Sequence, residues 1–589
     1  MNTRDKHKDI YLFWMVIISF ILIAYTILKG KMNYTNVPLF WTLWLMSITL
    51  LTKIALSYDG KYFLVSMTLF QVVITSIIVF GSPSVLPIGT DAIFESQYAK
   101  TLITNRYWDI HAGYGLAKDY YGYFPVIHVV MAFLSLLTNV DIYTIGIYFP
   151  FIEHVMYFLF YFMVIKKIFN TKFAIISSLI AFSSCSLILI HTSRRLFTEP
   201  FILILLIAIY LNYFKQRGSI GYSLVFLLSV PIISLGHHWC GYLSIWIISV
   251  ILLFTFFIRI KSKKFIEKIN LTTPFALVFV TVCSWIAYFA FEGLFKRDVN
   301  IIVYALNRVL SLSIHGTETT IRNVGTTYGY MIFYKYIIIL SMFLFYSLSL
   351  IAAIKFLQFT IKNPKPRNIF TAGWVTACCI IVFSTAFTVF VPDYRFIGQV
   401  SMGVGSLGLS IAIAHLLLRE KMGGNKFTII LITLLMILYS GGILVAYLPQ
   451  YYVNPYGNFW EGTADVVSSA KWLSGYVDKD EEVSGDSSSY NVFTGVYGIP
   501  VRHDNSLLYA DNIDFIDFQE SLVEYSTNLR IRWFIINNII TEYNTFGPNR
   551  KVSPEELDRF GDTNLLDKLY SNPSVDIYLI SPLKPGTAR

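Results

Sequence analysis

Gly89-Thr90-Asp91-Ala92-Ile93-Phe94-Glu95-Ser96-Gln97-Tyr98-Ala99-Lys100 comes just after a long apolar run, Phe63–Phe80. The run has the length and character of a membrane span. Asp91 and Glu95 therefore arrive where lipid gives way to water. They are four residues apart, so on a helix they share one face. Thr90 or Asp91 can cap the start of that helix. Two readings follow: a capped surface helix with a solvated acidic edge, or carboxylates held at the membrane surface for chemistry. The chain then continues into Tyr107-Trp108-Asp109-Ile110-His111 and Tyr120-Tyr121-Gly122-Tyr123-Phe124-Pro125.

Composition sets the context for that junction. Of 589 residues, 55% are hydrophobic and only 14% are charged. A soluble protein of this length carries about a quarter charged residues, so the chain reads as a polytopic membrane protein. Aromatic content of 17% suits belts of Tyr and Trp at the two interfaces. The net charge is +10, and its distribution among the loops says more than its sum. Cys185, Cys240, Cys283, Cys378 and Cys379 form no CxxC pair and no His-linked metal spacing. Most lie in apolar runs and read as small buried residues. Arg4, Lys6 and Lys8 precede an apolar run too long for the core of a signal peptide, which reads as a retained span.

Candidate spans are Ile10–Leu28, Leu39–Leu56, Phe63–Phe80, Ile142–Ile165, Phe173–Ile190, Phe197–Tyr213, Tyr222–Leu235, Tyr242–Ile258, Phe275–Phe291, Tyr330–Leu357, Ile369–Val391, Ile397–Leu418 and Phe427–Tyr447. That is roughly thirteen crossings. Their connections alternate in charge. One set is basic: Lys166 and Lys167; Lys215 and Arg217; Arg259 to Lys264; Lys362 to Arg367; Arg419 to Lys426. Basic loops face the cytoplasm, which puts the N-terminus there too. The alternate connections face outward, including the loop 81–140 and everything after Tyr447. Phe124–Leu137 is apolar, but counting it as a crossing would invert every later basic loop. It is assigned to the outer loop as an interfacial or re-entrant helix.

The chain thus divides into a membrane domain, 1–449, and a C-terminal extracytoplasmic α/β domain, 450–589. In the latter, charge density rises and apolar runs shorten to strand length. Glu482–Gly485, Trp533–Asn537 and Val575–Ile580 read as strands, and Ala464–Leu473 and Pro554–Leu566 as helices. Ser553 before Pro554, with Glu555 and Glu556 next, marks a helix start. There is no Gly-rich phosphate loop and no catalytic triad here.

This topology gathers Asp91, Glu95, Asp109, His111, Arg194, Arg195, Glu199, His237, His238, His315, Glu318, Asp393 and Arg395 on the outer side. Several have a second reading. Arg194 and Arg195 also suit lipid-headgroup anchors, His237 and His238 an interfacial polar pair beside Trp239, and Asp393 and Arg395 a structural ion pair. The basic residues flank membrane spans instead of forming one surface patch, which excludes a nucleic-acid partner.

The stretch from Gly89 to Lys100, followed by Tyr123-Phe124-Pro125-Val126-Ile127-His128, resembles the first external loop of C-type membrane glycosyltransferases of the prokaryotic, archaeal kind. These polytopic enzymes use polyprenyl-phosphate-linked sugars. Ser193-Arg194-Arg195-Leu196-Phe197-Thr198-Glu199-Pro200 resembles their second outer polar motif, and Asp393-Tyr394-Arg395-Phe396 a late span-end motif. The resemblance implies transfer from a polyprenyl-phosphate or diphosphate sugar donor to a glycan, lipid or protein acceptor. Many members carry adjacent acids or Asp-x-Asp in the first loop. Here Ala92 and Ile93 follow Asp91, which leaves a divalent metal cofactor unassigned.

A lipid phosphate is already a stable leaving group, so one carboxylate acting as base on the acceptor hydroxyl suffices, within about 3 Å of it. Cationic groups must balance charge developing on the phosphate, and the planar fork of arginine suits that task. Asp91 is expected as base or acceptor-orienting residue, with Glu95 as its companion. Arg194, Arg195 and Arg395 are expected on the donor phosphate. Glu199, His237, His238 and Asp393 are further candidates for positioning or metal binding. Attack opposite the leaving group implies inversion. The competing expectation is a transporter or flippase of lipid-linked sugars, for which Glu153-His154 inside a span is the best pointer.

Overall fold

The structure is a computed structural model. It describes residues 3–29, 37–57, 59–81, 84–87, 90–108, 121–183, 193–215, 220–261, 303, 329–384, 405–419, 463–478, 481–485, 492–494, 496–502, 531–537 and 565–580. Every expected span that falls on described residues is helical. In order these are α1 (Thr3–Lys29), α2 (Val37–Ser57), α3 (Gly60–Gly81), α4 (Thr90–Asn105), α5 (Pro125–Thr138), α6 (Ile142–Ile168), α7 (Thr171–Ser183) and α8 (Arg194–Ile209). They continue with α9 (Ile220–Gly236), α10 (His238–Lys261), α11 (Gly329–Lys362), α12 (Pro366–Ser384), α13 (Ser406–Arg419) and α14 (Ala464–Leu473). The expected spans Phe275–Phe291 and Phe427–Tyr447 lie outside the described residues. Among those described, Ile142–Ile168, Arg194–Phe214, Trp239–Ile260 and Leu344–Lys362 are each long and apolar enough to cross a membrane. Shorter apolar helices accompany them, and the chain is a multi-pass helical membrane protein.

The helix starts follow local chemistry. Asp59 accepts from Lys61 N at 2.9 Å before α3, Asp141 from Tyr143 N at 2.9 Å before α6, and Asn170 from Phe173 N at 2.9 Å before α7. Each supplies an acceptor for a backbone N–H that the first turn leaves unpaired. Pro150, Pro200 and Pro231 lie inside α6, α8 and α9, which membrane helices tolerate because neighbours re-satisfy the freed backbone groups.

The chain clusters into two compact units. One comprises Met1–Ile78, Phe151–Leu189 and Arg194–Tyr451, the other Val79–Pro150, Ile190–Ser193 and Tyr452–Arg589. In the first unit, small and hydroxyl-bearing residues bring helices together, as expected where apolar burial alone gives no drive between helices. Ser47 donates to Ser19 Oγ at 2.8 Å between α2 and α1. Tyr161 of α6 lies 2.5 Å from Ser177 Oγ of α7 and 2.6 Å from Ser410 Oγ of α13. At Gly373 of α12 an added Cβ would stand 2.7 Å from Ile251 Cα of α10, so these two backbones touch.

In the second unit α5 packs on α4. At 14 residues it is roughly 21 Å long, short of the ~30 Å of a bilayer core. Ile127, His128, Met131 and Ala132 are buried, while Val129, Phe133, Leu136 and Leu137 are exposed. This apolar outer face on a short helix is what an interfacial segment requires. Asn139 ends α5 in the left-handed conformation, φ 55°, a position Asn tolerates.

The same unit contains a mixed five-stranded sheet in the order β2-β1-β3-β5-β4. The strands are β1 (Glu482–Gly485), β2 (Val501–Arg502), β3 (Ile531–Asn537), β4 (Leu566–Ser571) and β5 (Val575–Ile580). β1 runs parallel to β2 and β3, and β5 antiparallel to β3 and β4. The expected strands are present, and α14 matches its expected bounds. The expected helix Pro554–Leu566 needs correction at its end. Leu566 opens β4, paired with Ile580 and largely buried, because an antiparallel partner captures its backbone. Residues 554–564 lie outside the described residues. Asn572 ties the β4–β5 turn to α14: its amide donates to Asp465 O at 2.9 Å and its carbonyl accepts from Val575 N at 2.7 Å.

Candidate functional site

Two polar clusters, one in each unit, contain most of the expected site residues that are described. In the second unit α4 begins at Thr90, so Asp91 sits in its first turn. The Asp91 side chain lies outside the described residues. From Ala92 to Ala99 every side chain of α4 is buried. Glu95 is therefore not on a solvated acidic edge. It is fully buried and paired with the equally buried His128 of α5, whose Nε2 donates to Glu95 Oε2. The His128 ring lies at 5.3 Å and 24° to the Tyr98 ring, and at 5.2 Å and 15° to Trp108. This is a near-parallel aromatic cluster. The carboxylate thus fixes an imidazole, and the imidazole carries Trp108, the last described residue before 109–120. Asp109 and His111 lie outside the described residues.

In the first unit Arg194 and Arg195 open α8 and are buried, 5% and 6% exposed. A headgroup anchor would extend its long side chain into the interface; these two turn inward. Arg195 Nε donates to Glu199 Oε1 at 2.7 Å, one helical turn along. Tyr157 of α6 donates its hydroxyl to Glu199 Oε2 at 2.6 Å. Thr198 bonds back to Arg194 O at 2.6 Å, and α9 approaches so closely that an added Cβ at Gly236 would collide with the Thr198 side chain. Arg195 Nη1 is buried and has no hydrogen-bond partner among the described residues. The cluster therefore presents guanidinium groups at a helix N-terminus, where backbone N–H groups and the helix dipole also favour an anion.

His237 precedes α10 and caps it: Trp239 N donates to His237 Nδ1 at 3.2 Å. That ring nitrogen is occupied as an acceptor. The side chain of His238, and all of Asp393 and Arg395, lie outside the described residues. Among the described residues no group of three or more His, Cys, Asp or Glu is arranged to hold a metal. Cys240 and Cys378 are buried free thiols, and Cys379 is also free.

Glu153 and His154, the pointers to a transporter, are buried in α6. Thr75 Oγ1 lies 2.9 Å from Gln71 O and 2.8 Å from His154 Nδ1, within hydrogen-bond reach of both. The histidine is thereby fastened to α3.

Sequence reasoning did not assign roles to His128, Trp108 or Tyr157. His128 was detectable as the one ionisable residue on an otherwise apolar helix. Tyr157 is one of several aromatic residues in α6, and nothing in its local sequence sets it apart.

No family model matches the chain, and no curated protein matches it. Among solved structures, the oligosaccharyltransferase of Archaeoglobus fulgidus in its apo form is similar, with a TM-score of 0.50 and 11% identity over 82% of this chain and 70% of that one. ArnT from Cupriavidus metallidurans, solved bound to undecaprenyl phosphate, gives a TM-score of 0.45 and 10% identity over 87% of this chain and 97% of that one. The arabinofuranosyltransferase AftD from Mycobacteria gives 0.43 and 12%, over 87% of this chain and 40% of that one. The first likeness defines the class of fold: the chain is folded as a C-type membrane glycosyltransferase.

Proposed function

We propose that this chain is a membrane glycosyltransferase that moves a sugar from a polyprenyl-phosphate-linked donor to a glycan, lipid or protein acceptor on the outer face of the membrane. The observation that carries this reading is the buried arginine pair at the start of α8, with Arg195 held by Glu199. Guanidinium groups at a helix N-terminus make an anion site. In a chain with this fold, the anion best suited to it is the phosphate of a lipid-linked sugar.

In this mechanism Arg194, Arg195 and Arg395 hold the donor phosphate and stabilise the charge that grows on it as the glycosidic bond breaks. Asp91 takes the proton from the acceptor hydroxyl, or orients it, and attack from the face opposite the phosphate inverts the anomeric carbon. Glu95, through His128, sets the end of the outer loop. His237, His238 and Asp393 line the same outer side. The accompanying topology has roughly thirteen crossings, a membrane domain over 1–449 with its first outer loop at 81–140, a cytoplasmic N-terminus and an extracellular domain over 450–589.

The test is sugar transfer from synthetic polyprenyl-phosphate donors to candidate acceptors, wild type against Asp91→Asn. Removing a general base should lower kcat by about 100-fold or more, with donor KM little changed. Equal rates would remove Asp91 from the chemistry. Movement of labelled donor across vesicles without any transfer would instead support the transporter reading that buried Glu153 and His154 favour.

A further inference from the structure

Arg195 does not stand alone at the start of α8. The Glu199 carboxylate is shared between two helices. One oxygen accepts from Arg195 Nε at 2.7 Å and the other from the Tyr157 hydroxyl at 2.6 Å. Glu199 is 1% exposed, so its contacts are made out of water. A carboxylate engaged at both oxygens in this way is poorly placed to take a proton from an acceptor or to ligate a metal, since either role would break a buried charged contact. What the arrangement does hold is the guanidinium. Nε is the donor nearest the side-chain stem, and bonding it to Glu199 fixes the rotation of the whole planar fork. The outer amino groups are left to meet something else. Nη1 is buried yet has no acceptor among the described residues. A charged donor in that position is costly unless an anion is its partner.

We propose that Tyr157 and Glu199 form a brace that holds Arg195 with Nη1 turned to an anionic phosphate oxygen, both acting as positioning residues and touching no substrate. This rests on the reading of Arg195 as a donor-phosphate ligand. The hydroxyl of Tyr157 keeps Glu199 from following Arg195 through its rotamers, and Glu199 keeps Arg195 from swinging along α8. The phosphate then meets a preset cation and need not order a flexible one.

The test is binding of polyprenyl phosphate and of polyprenol, the same lipid without the phosphate, to the full chain in phosphatidylcholine nanodiscs. Arg195→Ala should abolish the preference for the phosphate form. If it leaves that preference intact, the underlying phosphate reading falls. If Arg195→Ala does abolish it, the brace is tested separately. Tyr157→Phe, which removes one hydroxyl, should weaken polyprenyl phosphate about fivefold with the thermal midpoint kept, and Glu199→Gln about thirtyfold at a temperature below its own lowered midpoint, with polyprenol unaffected by either. In the Arg195→Ala background Tyr157→Phe should cost nothing further, since its effect passes through the arginine. An equal loss for both lipids, or an undiminished Tyr157→Phe effect without Arg195, overturns the brace. Adding phosphatidylglycerol to the nanodiscs should leave the wild-type preference in place. If it erases that preference, Arg195 holds a headgroup and the donor assignment is overturned. In turnover, Tyr157→Phe should raise donor KM and leave kcat within about twofold.

Discussion

Glu95 illustrates how burial changes the meaning of a carboxylate. On the sequence it is the second acid of an outer-loop pair. In the structure it is fully buried and joined to His128, and the Tyr98, His128 and Trp108 rings cluster beside it. Removing one member of a buried charged pair leaves the other uncompensated, which typically costs about 3–5 kcal/mol. Glu95→Gln and His128→Ala should therefore each lower the thermal midpoint, and the double variant should cost less than their sum. A Glu95→Gln variant with unchanged melting and abolished transfer would return Glu95 to the reacting groups. Asp91 differs in kind: it stands in the first turn of α4, before the buried stretch begins at Ala92.

Among the elements, α5 and the sheet show what short segments add to a reading by hydropathy. α5 is apolar enough for a span but too short for one, and it leaves Phe133, Leu136 and Leu137 exposed. The parallel pair β1–β3 is fastened at its edge by Glu481, which accepts from Arg532 Nη1 at 2.6 Å and from Trp533 Nε1 at 3.0 Å. Desolvation acts to raise the Glu481 carboxyl, but the hydrogen bonds from Trp533 and Arg532 outweigh it, and its pKa lies below the ordinary value of 4.5. A carboxyl depressed in the folded state adds stability that is present above its unfolded pKa and is lost as pH falls through the folded one. Hydrogen-exchange protection of 482–485 and 531–537, corrected for intrinsic rates, should thus decline as pH falls through and below the ordinary carboxylate range. Glu481→Gln should start with lower protection and show a flatter pH response. An unchanged response in that variant would remove Glu481 as the cause.

For the chain as a unit, the proposed topology makes a direct claim about sides. Lys365 lies in a basic connection assigned to the cytoplasm, and Tyr476, 60% exposed, in the domain assigned outside. Single cysteines at these positions should differ in reach of a membrane-impermeant maleimide. Tyr476→Cys should label in intact cells above the wild-type background, and Lys365→Cys only after lysis. Labelling of both, or of Lys365→Cys alone, would invert or break the assignment. Charge alternation among loops is the physical basis of the claim, because lysine and arginine resist translocation.

Much of this protein was legible in the order of its residues. The described parts of the expected spans are helical, α14 matches its expected bounds, and three strands fall where alternation and β-branched residues put them. Hydropathy, capping and side-chain period are properties of neighbouring residues, so a linear reading reaches them. The partners of the site residues are another matter. Glu95 meets His128 across 33 positions and Glu199 meets Tyr157 across 42. Those meetings depend on how each helix is rotated about its axis and how closely it approaches its neighbour, as Gly236 allows α9 to approach Thr198. Only packing in three dimensions decides rotation and approach. That is why the chain alone could offer Glu95, Arg195 and Glu199 as candidates, while the contacts that orient Arg195 and bury Glu95 appeared only in the folded molecule.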